Sequence, residues 1–111
     1  MAIKITISDT VGIKVRGTIN NEAGVAQPFD FGLTCKRLDA DQIRAELQSG
    51  EEASLTDFLV KVAHGWNGVK GDDDKPLEFS EGALRELCKI PGVAAVAFRT
   101  YLSEVGAKEK N

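Results

Sequence analysis

The stretch VGIKVRGTINNEAGVAQPFDFGLTCKRLDADQI, residues 11–43, decides the fold because the spacing of its apolar residues changes partway along. Val11, Ile13, Val15 and Ile19 fall on alternate positions across Gly17, and Phe29, Phe31, Leu33 and Cys35 do the same beyond the turn-like NNEAG (20–24). A period of two sends these side chains to one face of a strand and Lys14, Arg16, Thr18, Asp30, Thr34 and Lys36 to the other. One buried and one wet face is the signature of an antiparallel hairpin. Gly17 inside the pattern points to a bulge or a close backbone approach. Pro28 is expected at the first residue of its strand, where no ladder donor is required. Ile3, Ile5 and Ile7 alternate in the same way, so the expected sheet spans about residues 2–37.

From Leu38 the period changes to that of helices. Asp39 followed by Gln42 is a capping-box variant, and DADQIRAELQSG closes on Gly50 with Ile43 and Leu47 one turn apart. A second helix starts near Ser54 to Thr56, carries the stripe Leu55, Phe58, Leu59, Val62 and Ala63, and ends at Gly65. Ser80 is the expected N-cap of a third, with Ala83, Leu84, Leu87 and Cys88 on one side. Pro91 interrupts it, and a fourth helix carries Val93, Val96, Ala97, Tyr101 and Leu102 before a polar tail, GAKEKN. Strands first and helices afterwards predict an α+β fold: a small N-terminal antiparallel sheet followed by about four helices on one of its faces. At 111 residues, without a repeat or low-complexity linker, residues 1–111 are expected to form a single domain.

Composition excludes several function classes. Hydrophobic residues make up 42% and charged residues 28%, which is the balance of a globular protein rather than a disordered one. The net charge of −3 comes from interleaved acids and bases, so the basic footprint required by nucleic acid is missing. No apolar run has the length of a membrane span and MAIKITISDT lacks a signal-peptide pattern, which predicts a cytoplasmic protein. Cys35 and Cys88 have no CxxC spacing and read as buried, reduced thiols, with a disulfide or redox pair as the alternative.

The candidates for chemistry are few. Asp72-Asp73-Asp74 fails as an EF-hand loop, because the sixth position from Asp72 is Leu77 rather than Gly and the twelfth is Ala83 rather than Glu. Asp72, Asp74 and Glu78 remain an alternative cation cluster; the preferred reading is a solvated loop tip stiffened by Pro76. His64 would need a nucleophile and an orienting acid to catalyse anything, and Ser54 and Ser80 are already accounted for as helix caps. No Gly-rich phosphate loop, HExxH or GxSxG is present. Neither an enzyme nor a cofactor or metal protein is therefore expected. Trp66 reads first as a core anchor and second as a partner-surface residue. Phe98 lies about 100 degrees from the Val93/Val96/Ala97 stripe, which makes the apolar face of the last helix broad.

The second half of the chain also carries an ordered series of short motifs. A helix runs into Trp66-x-Gly68-Val69, then an acidic loop with Pro76 and Phe79-Ser80. Ala83-Leu84-x-x-Leu87 and Ile90-Pro91-Gly92-Val93 follow, and the last helix holds Tyr101-Leu102. In this order they resemble the tail assembly chaperones of long-tailed phages and prophages, and PFDFGLTCKRLDADQI (28–43) resembles the strand-to-helix junction of that group. Gly82 and Cys88 depart from the pattern, Gly82 where a better helix former is usual and Cys88 where Leu is usual. The resemblance implies a non-enzymatic chaperone that binds the tape measure protein, a long, hydrophobic, helical chain, until tail tube subunits polymerise around it. The major tail tube protein is a second implied partner, the host cytoplasm the implied location, and the mature virion is not expected to retain the chain. The partner surface expected on this basis is Trp66, Val69, Phe98, Tyr101 and Leu102. Many genes of the family carry a −1 frameshift near their end. Glu109-Lys110-Asn111 can be encoded GAA AAA AAC, which contains the slippery heptamer A AAA AAC, and the nucleotide sequence decides the matter. The rival readings are a small structural or adaptor protein of the tail or connector, and a small hydrolase built on His64.

Overall fold

The computed structural model describes residues 2–48 and 54–109. Asn21 builds its first turn. Its backbone N–H donates to the Val25 carbonyl at 2.9 Å, and its side-chain oxygen accepts from the N–H groups of Ala23 at 2.9 Å and Val25 at 3.0 Å. Gly24 closes the turn at a φ of 78°, in the left-handed region that costs a residue without a Cβ little. The turn joins β1 (Thr10–Asn20) and β2 (Ala26–Lys36), which pair antiparallel in unbroken register from Thr10↔Lys36 to Asn20↔Ala26. The helices α1 (Ala40–Gln48) and α2 (Ser54–Val62) follow, then a third strand, β3 (Ala63–Asn67), and the helices α3 (Glu81–Cys88) and α4 (Val93–Val105). The sheet order is β1-β2-β3, and the class is α+β.

Alternation delivers the core. Val11, Ile13, Val15, Phe31, Leu33 and Cys35 all point to one buried face of the sheet. Helices cover that face only: α4 packs on β1, and α2 packs on β3 and on both later helices. Phe58, Leu59 and Val62 from α2, Leu84 from α3, and Val93, Ala97, Tyr101 and Val105 from α4 complete a single cluster. No polar or charged side chain is buried among the described residues.

Several sequence expectations are corrected. The sheet starts at Thr10, not near residue 2: Ile3 and Ile5 are 88% and 103% exposed, and neither pairs with a strand. Strict alternation sets a strand's facing, but it cannot supply the neighbouring strand a ladder needs. Ile19, read as inward-facing, is exposed because the hairpin overhangs the helices at that end. Gly17 makes a close approach without a bulge. It stands opposite Phe29, and a Cβ there would lie 2.7 Å from the edge of the Phe29 ring, which lies over the glycine. Pro28 is the third residue of β2; β3 pairs only with Gly32–Cys35, so Pro28 faces an open edge on that side.

The third strand is the largest departure. α2 ends at Val62 rather than Gly65, and the chain passes directly into β3. Five residues with no β-branched side chain among them give no period to read, and pairing with the finished β2 overrides local preference. In the first helix, Leu47 is 54% exposed and Ile43 only half-buried, so α1 packs far less than its stripe implied. The expected helix end at Gly50 lies outside the described residues, as do the side chain of Ser54 and the last two residues of the Glu109-Lys110-Asn111 tail.

Candidate partner-binding site

The nominated partner residues fall into two sets of contacts. Trp66 sits in β3 opposite Leu33, which places its ring on the core side of the sheet. The ring meets Phe79 edge-on at 5.2 Å, and its indole Nε1 donates to the Leu77 carbonyl at 2.8 Å. Gly68 turns the chain at a φ of 79°, where a Cβ would press against the Phe31 backbone at 3.4 Å. Val69, half-buried next to it, accepts from the Leu77 N–H at 2.9 Å. Trp66 and Val69 thus latch both ends of the loop to the sheet.

The loop between these latches is a small hairpin of its own. Lys70 bridges to Pro76, Gly71 N–H donates to the Lys75 carbonyl at 3.0 Å, and Asp74 adopts a φ of 63° at the tip. Asp73 accepts from the Lys75 N–H at 3.1 Å, a side-chain turn of the kind aspartate favours. All three aspartates are exposed, and no metal-ligand cluster exists among the described residues.

The second set lies on α4. Phe98 meets Phe58 edge-on at 5.2 Å and is half-buried. Tyr101 is fully buried. Its ring also packs edge-on against Phe58, and its hydroxyl donates to the Lys36 carbonyl at 2.7 Å and accepts from the Leu38 N–H at 3.1 Å. Tyr101 therefore ties α4 to the end of β2 and offers no surface to a partner. Leu102, one residue further, is half-buried and reaches the surface at the wall of a groove.

That groove is a concave feature that sequence reasoning missed. It has a volume of about 630 Å³ and runs between α1 and the C-terminal end of α4. Ile7, Leu38, Ile43, Leu47, Leu102 and Val105 line it, with Asp39 and Arg44 among its polar groups. It exists because α1 is held at its ends rather than by its face. Asp39 and Gln42 cap each other reciprocally, with Gln42 N–H to Asp39 Oδ1 at 2.8 Å and Asp39 N–H to Gln42 Oε1 at 2.9 Å. Lys61 of α2 reaches Glu46 at 2.7 Å. Next to the groove, Arg37 ties the segment ahead of β1 to the end of α4: its guanidinium donates to the Val105 carbonyl at 2.6 Å and the Ser8 carbonyl at 3.0 Å, while its backbone N–H donates to the Asp9 carbonyl at 2.7 Å. A cation at the last carbonyls of α4 suits the helix dipole. The sparse apolar content of α1 was the one signal in the sequence for such a helix.

The remaining candidates have structural explanations. The β2–β3 register shifts between Thr34 and Cys35, which leaves His64 as the extra, exposed residue of a bulge. Ser80 Oγ accepts from the Ala83 N–H at 3.0 Å, as an N-cap should. Cys35 and Cys88 are both free thiols. Burial pushes Cys35 up to about 12; it also raises Cys88, against a hydrogen bond with Thr56 and the charge of Arg85. No helix among the described residues is long and apolar enough to cross a membrane. Comparison with family models, curated proteins and solved structures finds no match, so functional inference rests on the residues themselves.

Proposed function

We propose that this chain is a phage tail assembly chaperone whose α1–α4 groove receives apolar helical segments of the tape measure protein. The observation that carries the reading is the groove itself: about 630 Å³, open, and lined mainly by aliphatic side chains of α1 and α4 with Ile7 and Leu38 beside them. Amphipathic helices dock in clefts of this kind through side chains spaced at three and four residues. Leu102 forms part of the wall, and Phe98 supports the same helix from the α2 side. Trp66 and Val69 act in this reading by holding the acidic loop rather than by touching cargo. The net charge of −3 favours dispersal of a chaperone carrying a sticky client. The same fold would serve a permanent tail or connector adaptor, and virion composition separates the two: a chaperone is absent from purified tails, an adaptor is present in fixed stoichiometry.

The test is co-expression with the tape measure protein that this reading expects to be encoded beside it. Soluble tape measure protein should depend on this chain, and Leu102→Asp should abolish the effect while leaving the circular dichroism spectrum unchanged. A tape measure protein equally soluble without the chain would overturn the reading.

A further inference from the structure

The segment ahead of β1 is strand-patterned and unpartnered. Ile3, Ile5 and Ile7 are 88%, 103% and 61% exposed, alternating with Lys4, Thr6 and Ser8. Unpaired extended segments with one apolar side are the type that add to another chain. The base of this arm is fixed, because Arg37 holds the carbonyls of both Ser8 and Asp9. Beyond that clamp the arm leaves the body, in keeping with a radius of gyration of 15.4 Å against roughly 13 Å for a compact chain of this length.

The groove and the arm share a rim. Ile7 lines the groove, whereas Ile5 and Ile3 lie outside its lining and are almost fully exposed. We infer that two copies of this chain exchange arms, each laying Ile3 and Ile5 into the other's α1–α4 groove. A twofold axis passing close to Ile7 would carry each arm over the partner's groove, so both contacts form together, as an isologous interface requires. Ile3 and Ile5 do not fill the chain's own groove, which leaves that groove free for the arm of a second copy. An interface made of two short arms lies near the small end of specific interfaces, so the dimer is reversible with concentration. The groove is the one assigned above to cargo. The inference takes only that location from the chaperone reading, and adds that cargo has to displace the arm.

Sedimentation of the full chain between about 1 and 500 µM tests it without any client present. The chain should pass from a 12.0 kDa monomer to a dimer with rising concentration. Ile5→Asp in the arm and Leu47→Asp in the groove should each raise the dissociation constant at least tenfold, whereas Ile19→Asp, on the exposed far end of the hairpin, should leave it unchanged. Deletion of residues 2–6, which keeps Ile7 in the groove lining, should give a monomer, and mixing that chain with Leu47→Asp should restore a weaker heterodimer through its single intact arm–groove contact. A chain that stays monomeric throughout, or a dimer that survives the deletion, overturns arm exchange. Neither result touches tape measure solubility, and failure of the co-expression experiment leaves the dimer measurement standing.

Discussion

Tyr101 shows how one side chain fixes the register between layers. Its hydroxyl satisfies the Leu38 N–H and the Lys36 carbonyl just where β2 gives way to the approach to α1. Tyr101→Phe keeps the ring against Phe58 and leaves both backbone groups without that partner. A buried group stranded in this way costs about 1–3 kcal/mol, so the urea midpoint should fall at unchanged slope. An unchanged midpoint would mean that water replaces the hydroxyl. Cys35 sets a pH limit at the same scale. Its thiol is pushed up to about 12 in the fold, against about 8.5 in an unfolded chain. Between these values the unfolded state has lost a proton that the native state keeps, so stability falls as pH rises. It is constant below about 8.5 as far as this group is concerned, and declines above it by up to about 1.4 kcal/mol per pH unit. Denaturation at several pH values between 8 and about 10.5 should show that decline, and Cys35→Ala should flatten it despite its own cavity cost. The thiol's inward facing was legible from its place in the Phe29–Cys35 alternation; the hydroxyl of Tyr101 was not, because its partners lie more than sixty residues away.

Among the elements, those with a local signal were readable and those made by tertiary pairing were not. The hairpin, the Asp39/Gln42 cap and the Ser80 cap follow from residues within a few positions of one another. The strand AHGWN carries no such signal, since its conformation comes from docking against β2. The arm failed in the opposite sense: Ile3, Ile5 and Ile7 carry the pattern of a strand with no neighbour to pair with in the chain itself. Helix α3 contains one element-scale weakness. Gly82 lies in its first turn, and a Cβ there would meet nothing within 4 Å. Gly82→Ala should therefore stabilise the protein by about 0.5–1 kcal/mol, through helix propensity and a less flexible unfolded chain. Thermal unfolding measures this directly, and a loss of stability would show that the first turn of α3 has a packing role for its bare backbone.

For the molecule as a whole, the sequence reached the layer arrangement but not the groove. Period-two and period-3.6 stripes identify which faces are apolar; they do not say which apolar residues find cover. Ile43 and Leu47 have helical spacing suited to a core, yet α1 contributes no buried residue, and its unfilled contacts with α4 become the candidate site. The division between an apolar interior and a charged exterior makes a final expectation possible. The core holds no buried polar or charged side chain among the described residues, and the ion pairs, such as Arg85–Asp57 at 2.9 Å and Lys108–Glu104 at 2.7 Å, lie on the surface. Pairs of that kind contribute at most about 1 kcal/mol each and are screened within roughly 3 Å at 1 M salt. Burial of apolar surface, which supplies the stability here, is not weakened by such screening. Raising sodium chloride from low concentration to 1 M should therefore shift the unfolding midpoint by no more than a few degrees, with relief of the repulsion from a net charge of −3 offsetting the weakened pairs. A midpoint that fell steeply with salt would place a substantial part of the folding free energy in the Arg85 and Lys61 bridges between helices, and would make the position of α1, and so the width of the groove, sensitive to ionic strength.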